Sequence, residues 1–265
     1  MHFFLLILLC TIPTLAAGQT LSPDRFETSP SQPITLSFPS PSQARVPAIS
    51  WFFVRLAGTQ ENRDSTNAPP PNPDGTLPVT LALSGIALIG LDLAPETMQW
   101  DPETFAAFAK SCGDGDRCPT GASTVERRIS AATLVRVSAD ADGEAESDST
   151  AMSKAGLAAE VRPLMDPTVL GVGSDLPLRF YIDGEAIIAV RVTATHKATG
   201  TTRSSVTDAK GMAFFRIDHA GPWTVEFHTL AALTAPTDPN PVWRATSGSL
   251  TFAAPTAAAE TEVSQ

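Results

Sequence analysis

Residues 206–228 constrain the fold of this chain most, because they contain two strand patterns and two turns in immediate succession. Residues 208–211 (Asp-Ala-Lys-Gly) and 218–221 (Asp-His-Ala-Gly) are turn sequences, and each is followed by a run rich in β-branched and aromatic residues. In the second run the side chains alternate between two faces, with Trp223, Val225 and Phe227 on one and Thr224, Glu226 and His228 on the other. This alternation is typical of a strand that covers a core, so an all-β module is expected here.

The second half of the chain repeats this pattern. Short strand patterns separated by Gly-, Asp- and Pro-containing turns occur at residues 159–164, 176–182, 187–196, 201–206, 212–217, 223–230 and 250–252. Strands of this length and spacing are typical of a β-sandwich. We therefore predict an immunoglobulin-like β-sandwich over residues 156–253, followed by a disordered tail at 254–265.

The first half, residues 19–155, is also predicted to be a β-rich, sandwich-like domain, with one short helix. Strand patterns occur at 34–38 and 49–56, and the glycine-interrupted apolar run 76–93 predicts two buried strands. Residues 101–110 predict the helix, with Asp101 as N-cap and Pro102 in the first turn. The pattern at 125–137 fits either a helix or a strand.

Two segments of the first half are predicted to lack regular structure. Residues 59–77 are polar and proline-dense, which favours a long surface loop. Residues 139–153 are acidic and have no apolar periodicity, so we expect an exposed linker and place the domain boundary near residue 155.

Residues 1–18 have the composition of a secretory signal peptide. A short apolar run is followed by Pro13 and by the small residues Ala16, Ala17 and Gly18, which suit cleavage by a signal peptidase. The run is too short for a membrane-spanning helix. We expect a periplasmic or secreted protein that does not span the membrane after cleavage; an uncleaved anchor is the alternative.

Two cysteines, Cys112 and Cys118, remain after cleavage, and a glycine-rich segment of five residues separates them. In an oxidising compartment two such thiols are expected to form a disulfide. The alternative is a cation-binding loop, because Asp114 and Asp116 alternate with glycine, although the third oxygen donor and distal glutamate of an EF-hand are missing.

A formal net charge of -10 argues against nucleic acid as a partner, since nucleic-acid-binding proteins present basic surfaces. The sequence contains no Gly-x-Ser-x-Gly and no other arrangement that predicts a nucleophile, so we name no catalytic residue and expect a protein that is not an enzyme.

Histidines are the best candidates for chemistry in the mature chain. His228 and Glu226 lie two apart on one strand face, a spacing at which two side chains can chelate a transition-metal ion. We take His228, Glu226, His219 and His196 as the candidate metal ligands. Asp208 and Gly211 are interpreted as structural, because aspartate caps its own turn and glycine supplies a positive φ.

Several motifs, taken in their order along the chain, resemble those of the NikM-like family of secreted bacterial proteins. In the second half these are residues 159–167, 173–176, 183–186, 207–211 and 220–225, and in the first half 84–92, 105–108, 126–128 and 134–135, with a closing strand at 247–252. The resemblance covers nearly all of the mature chain and implies a C-terminal sandwich of the Cna-B or carboxypeptidase-regulatory type. It also implies a periplasmic role in nickel or cobalt uptake, with a membrane transport complex as partner.

A second hypothesis needs no metal. A β-sandwich can also serve as a structural or adhesive module that binds protein or glycan. Metal titration of the mature protein distinguishes the two hypotheses.

Overall fold

The computed structural model describes residues 20–38, 48–56, 59–64, 68–72, 74–114, 121–138, 148–234 and 242–256, with the backbone alone for 59–64. The expected signal peptide, Cys118, Asp116, residues 139–147 of the acidic segment and residues 257–265 of the expected tail lie outside this part.

The described residues are organised mainly as strands. In chain order the strands are β1 Ser22–Pro23, β2 Glu27–Thr28, β3 Pro33–Ser37, β4 Ile49–Leu56, β5 Thr59–Asp64, β6 Leu77–Thr80, β7 Gly85–Leu93, β8 Glu96–Trp100, β9 Ser123–Val137, β10 Ala159–Pro163, β11 Asp175–Ile182, β12 Glu185–Ala186, β13 Arg191–His196, β14 Thr202–Val206, β15 Met212–Arg216, β16 Gly221–Ala232 and β17 Val242–Ala254. One α-helix, α1, spans Pro102–Cys112, and one 3₁₀ helix spans Ser149–Met152. The prediction of an all-β fold of sandwich-like sheets, with one short helix in the first half, is confirmed.

A ten-stranded sheet runs through both halves of the chain. Its order is β14-β13-β16-β17-β9-β7-β4-β5, and β2 and β8 also pair with β9. Strands β17 and β9 are parallel neighbours, in register from Val242 opposite Thr124 to Thr251 opposite Thr133. The expected boundary near residue 155 therefore falls between two halves that share one sheet, and the division into two domains at this point stays a prediction.

One face of the large sheet, called here the inner face, packs against a sheet formed by β10, β11, β12 and β15. Trp223, Phe227 and Phe252 from the large sheet meet Leu178 and Phe180 from β11 in this core, and all five are essentially inaccessible to solvent. At roughly 25 cal/mol per Å² of apolar surface, burying aromatic residues of this size is a major source of stability.

The opposite, outer face carries two further apolar clusters. A small sheet of β1, β3 and β6 covers strands β4, β7 and β9 at one end, with Ile34, Leu36 and Leu77 fully buried. At the other end α1 covers β16 and β17, where Phe105 meets Trp243 at a ring-centroid distance of 5.1 Å. The central strands are thus covered on both faces, which explains their nearly continuous apolar sequences.

Local chemistry fixes the limits of α1. The Asp101 carboxylate accepts a hydrogen bond of 2.7 Å from the Thr104 backbone N–H, as an N-cap does. Gly113 ends the helix with φ of +87°, and its N–H donates to the carbonyl of Lys110 at 3.1 Å.

Two sequence expectations need correction, and one open alternative is resolved. Strand β5, Thr59–Asp64, lies in the expected proline-dense loop and pairs with β4. Residues 125–137, which fit either element, belong to strand β9. At the end of the acidic segment, Asp148 accepts a hydrogen bond of 2.9 Å from the Ile86 N–H and caps the 3₁₀ helix, so residues 148–153 are packed against the sheet. Strand β5 and residues 148–153 were misjudged because pairing with β4 and packing against β7 outweigh a polar local sequence.

Within the part of the chain that the structure describes, no helix combines the length and apolar character needed to cross a membrane.

Candidate functional site

Glu226 and His228 lie on the outer face of strand β16. Their neighbours Val225 and Phe227 point into the inner core, and alternation along the strand turns the two polar side chains toward the side that carries α1. His228 Nδ1 is hydrogen-bonded to the Ser247 hydroxyl at 2.9 Å, and the Phe108 ring of α1 meets the imidazole edge to face at 5.5 Å. The helix thus places an apolar wall beside the imidazole.

Burial shifts the pKa values of these two groups. It lowers the pKa of His228 from 6.5 to about 4, so the imidazole is neutral at neutral pH. It also raises the pKa of the Glu226 carboxyl, an effect that the positive charge of Lys197 partly opposes. A neutral imidazole is the form that binds a metal ion, so His228 requires no deprotonation to act as a ligand near pH 7.

A strip of hydroxyl groups lies beside the pair on the same face of the sheet and was not singled out in the sequence. The strip consists of Thr224 on β16, Ser247, Ser249 and Thr251 on β17, and Thr133 on β9. The Thr224 hydroxyl is buried and has no hydrogen-bond partner among the described residues. The signal available was a hydroxyl at every second position from Ser247 to Thr251, which places all three on one face.

His196 and His219 lie elsewhere. His196 is the register partner of Trp223, whose side chain belongs to the inner core, so its imidazole lies on the opposite face from Glu226 and His228. It is 3% exposed and stacks on His219 with ring centroids 4.9 Å apart.

Both ring nitrogens of His196 are engaged by the fold. Nδ1 is bonded to the Thr199 hydroxyl and Nε2 to the Ala220 carbonyl, each at 2.9 Å. These contacts join the turn after β13 to the turn before β16. His196 therefore has a structural role at this end of the sandwich.

His219 belongs to the same structural cluster. Its Nδ1 is bonded to Asp218 Oδ1 at 2.8 Å, and the Asp218 carboxylate also accepts a hydrogen bond from Arg203. Hydrogen bonds from Arg203 and His219 hold the pKa of Asp218 at about 2. The backbone carbonyl of His219 accepts from Trp223 Nε1 at 2.9 Å, which fixes the turn on the core.

The four candidate ligands thus form two pairs on opposite faces of the sheet. Among the residues that the structure describes, no group of three or more His, Cys, Asp or Glu side chains is placed to hold a metal ion. Glu226 and His228, with the adjoining hydroxyls, form the candidate functional site.

The other residues singled out in the sequence are the two cysteines and the turn residues Asp208 and Gly211. Cys112 is the last residue of α1 and is half-buried, and burial raises the pKa of its thiol to about 12. Its expected disulfide partner, Cys118, lies outside the described residues, so the pairing stays a prediction. Asp208 accepts hydrogen bonds of 2.8 Å from the N–H groups of Lys210 and Met212, and Gly211 adopts φ of +72° in the same turn.

Structural comparison finds weak similarity to several solved structures. Fibronectin(III)-like modules of Clostridium thermocellum CbhA share 13% identity, with a TM-score of 0.22 over 90% of this chain and 95% of theirs. Murine CEACAM1b shares 8% identity, with a TM-score of 0.23 over 89% of this chain and 98% of its own. A mutant Salmonella alpha-2-macroglobulin shares 10% identity, with a TM-score of 0.22 over 89% of this chain and 16% of its own. TM-scores this low carry no inference about function.

No curated protein matches the sequence at a significant level. One family model matches residues 72–231. This span runs from the loop before β6 to strand β16, which carries Glu226 and His228. Because this span exceeds half of the chain, the protein belongs to the family described as Domain of unknown function (DUF4198).

Proposed function

We propose that this protein is an exported, non-catalytic binding protein of the bacterial cell envelope that carries a transition-metal ion, nickel or cobalt, for a membrane transport system. The observation that carries the proposal is the placement of Glu226 and His228 on one strand face, with the imidazole held neutral by burial. The resemblance of the sequence motifs to NikM-like proteins supports the choice of metal and partner.

The spacing of the two side chains supports shared coordination. Residues two apart on a strand are separated by about 7 Å, a gap that two side chains can close with bonds of roughly 2 Å to one ion. Two protein ligands leave the other coordination positions to water or to a partner. Such an open site suits a protein that passes an ion on.

The low pKa of His228 also supports a role other than catalysis. The imidazole contacts the Ser247 hydroxyl, and a histidine beside a serine resembles part of a nucleophilic site. An efficient general base has a pKa near the working pH, whereas His228 titrates at about 4. The pair is therefore poorly suited to activating a nucleophile at neutral pH.

Calorimetric titration of Ni²⁺, Co²⁺ and Zn²⁺ into the mature protein tests the proposal. We expect one ion per chain for the wild type, and loss of binding in His228→Ala and Glu226→Gln. His219→Ala is the matched control, because its imidazole lies on the other face of the sheet, and this variant should bind as the wild type does. No heat from folded wild type, or loss of binding in His219→Ala alone, would refute the metal site.

Export has its own test. We expect the product to be recovered from the periplasm or medium with its amino terminus near residue 18 or 19. Intact protein retained in the cytosol would contradict this part of the proposal.

A second candidate function is favoured by the solvent-exposed side of the β10–β11–β15 sheet, the side that faces away from the large sheet. Phe214 is 57% exposed there, and its strand neighbour Arg216 is also exposed. On β11 the Arg179 guanidinium lies 5.5 Å from the centre of the Tyr181 ring. Aromatic and arginine side chains are enriched in protein interfaces, which suits an adhesive module that binds protein or glycan without metal.

A further inference from the structure

A small pocket lies where strand β7 gives way to strand β8 along their common neighbour β9. Asp92 is the register partner of Ser130, and Glu96 is the partner of Arg127. Three residues, 93–95, therefore lie opposite only two, 128 and 129. Such an irregularity is a β-bulge, a feature found often beside functional sites.

The pocket has a volume of about 120 Å³. Its apolar lining comes from Leu93, Pro95 and Ile129, and its polar lining includes Ser50, Asp92 and Arg128. This volume corresponds to about four water molecules at ~30 Å³ each, which is enough for a short chain of heavy atoms and too little for a nucleotide or a sugar chain.

The Asp92 carboxylate keeps unused capacity to accept hydrogen bonds. Oδ1 accepts from the Ser130 hydroxyl at 2.5 Å, and both oxygens lie 3.3 Å from the Ala158 N–H. An ionised carboxylate has about four lone-pair sites, so two donors leave Oδ2 largely available. The Ser50 hydroxyl donates to the Asp92 backbone carbonyl at 3.1 Å and can still accept a hydrogen bond.

The charges near the pocket favour a cation. Arg128 lines the pocket, but its charge is opposed by Asp183 at 3.6 Å and by Glu126 at 2.9 Å, a carboxylate that Arg128 shares with Arg244. Burial raises the pKa of Asp92, and the negative charges of Asp183 and Glu160 raise it further. A bound cation would relieve this repulsion, whereas an anion would add to it.

We propose that this pocket binds a primary alkylammonium group, with its methylene groups against Leu93, Pro95 and Ile129 and its ammonium donating to Asp92 and Ser50. Such a group is presented both by a small free amine and by the side chain of a lysine on a partner protein. This site is separate from Glu226 and His228 and does not depend on metal binding.

Calorimetry with n-butylammonium, and with a lysine blocked at both its amino and carboxyl ends, tests the proposal on the mature protein. Binding of both probes indicates a lysine side chain as the natural occupant, and binding of n-butylammonium alone indicates a free amine; either result supports the pocket. The neutral isostere 1-butanol should bind at least about tenfold more weakly, since a hydrogen bond to a charged group contributes roughly 1.5–3 kcal/mol.

Asp92→Asn keeps the carbonyl acceptor for Ser130 and Ala158 but removes the charge, and should weaken n-butylammonium binding by about tenfold or more. Asp175→Asn is the matched control. It makes the same change at the exposed first residue of β11, which does not line the pocket, and it should bind as the wild type does. The pocket is refuted if neither ammonium probe binds folded wild type, if 1-butanol binds equally well, or if folded Asp92→Asn retains full affinity. The 1-butanol comparison uses the wild type alone, so the test does not depend on folding of the variant.

Discussion

The ring of Phe227 lies directly over Gly248, its register partner on the neighbouring strand β17. A Cβ atom built on Gly248 would come within 2.4 Å of Phe227 Cε1 and 3.0 Å of the Ala159 carbonyl oxygen. The same relationship recurs in the first half, where a Cβ on Gly90 would come within 2.3 Å of Phe53 Cε1. In both strands the glycine provides space for a neighbouring aromatic ring.

Gly248→Ala should therefore destabilise the protein by about 1–3 kcal/mol, because the added methyl group overpacks a closed core. Urea unfolding followed by tryptophan fluorescence measures the change in the free energy of unfolding. Gly171→Ala is the matched control: a Cβ there meets nothing within 4 Å, so this variant should unfold near the wild-type midpoint. Equal stability of Gly248→Ala and wild type would contradict the packing described for Phe227.

The isolated C-terminal segment, residues 156–256, should not fold as a cooperative unit. Removing the first half exposes the edge of β17 that pairs with β9 and strips Phe53, Ile86 and Leu134 from the inner core. We expect the full mature chain to melt in one calorimetric transition and the segment to show none of comparable enthalpy. A segment that melts cooperatively at the temperature of the full chain would support two independent domains instead.

His228 should make stability depend on pH. Its pKa is 6.5 in an unfolded chain and about 4 in the fold, so between these values the unfolded state binds the additional proton. The folded state therefore loses stability as pH falls from 6.5 toward 4, by about 2 kcal/mol after allowance for the partial solvent exposure of the ring.

Glu226 acts in the opposite direction. Its raised pKa lets the folded state keep a proton that the unfolded state has lost, so its contribution to stability increases as pH falls through the folded pKa.

The His228 contribution is measured by urea unfolding at a series of pH values, which should show a flatter stability profile below pH 6.5 in His228→Asn than in wild type. Parallel profiles would mean that the imidazole is not buried as described.

Local sequence chemistry predicted the elements whose limits depend on near neighbours. Asp101 and Pro102 specify the start of α1 within one segment, and strand β4 was expected at 49–56, where it lies. The sequence did not reveal that β17 pairs in parallel with β9, because the two strands are far apart in the chain and no turn joins them. Strand β5 was missed for a different reason: its residues are polar, and they form a strand because the preceding strand β4 provides a partner.

The candidate site was partly predictable. Period-two alternation along β16 placed Glu226 and His228 on one face, as the structure has them. The same alternation could not relate His196 to His228, because that requires the register of β13 against β16, in which His196 lies opposite the core residue Trp223. The pocket at Asp92 depends on a bulge between three strands, which leaves no local pattern in the sequence.

The position of β17 has a consequence for how the molecule is made. Strand β17 follows every other strand of the described residues in sequence, yet it lies between β16 and β9 in the large sheet. While the polypeptide is still being synthesised or exported, the earlier strands can assemble on either side, but the gap between them stays open until β17 itself has emerged. A nascent product truncated before Val242 would expose two unpaired strand edges, so premature termination should yield aggregation-prone material and not a smaller working protein.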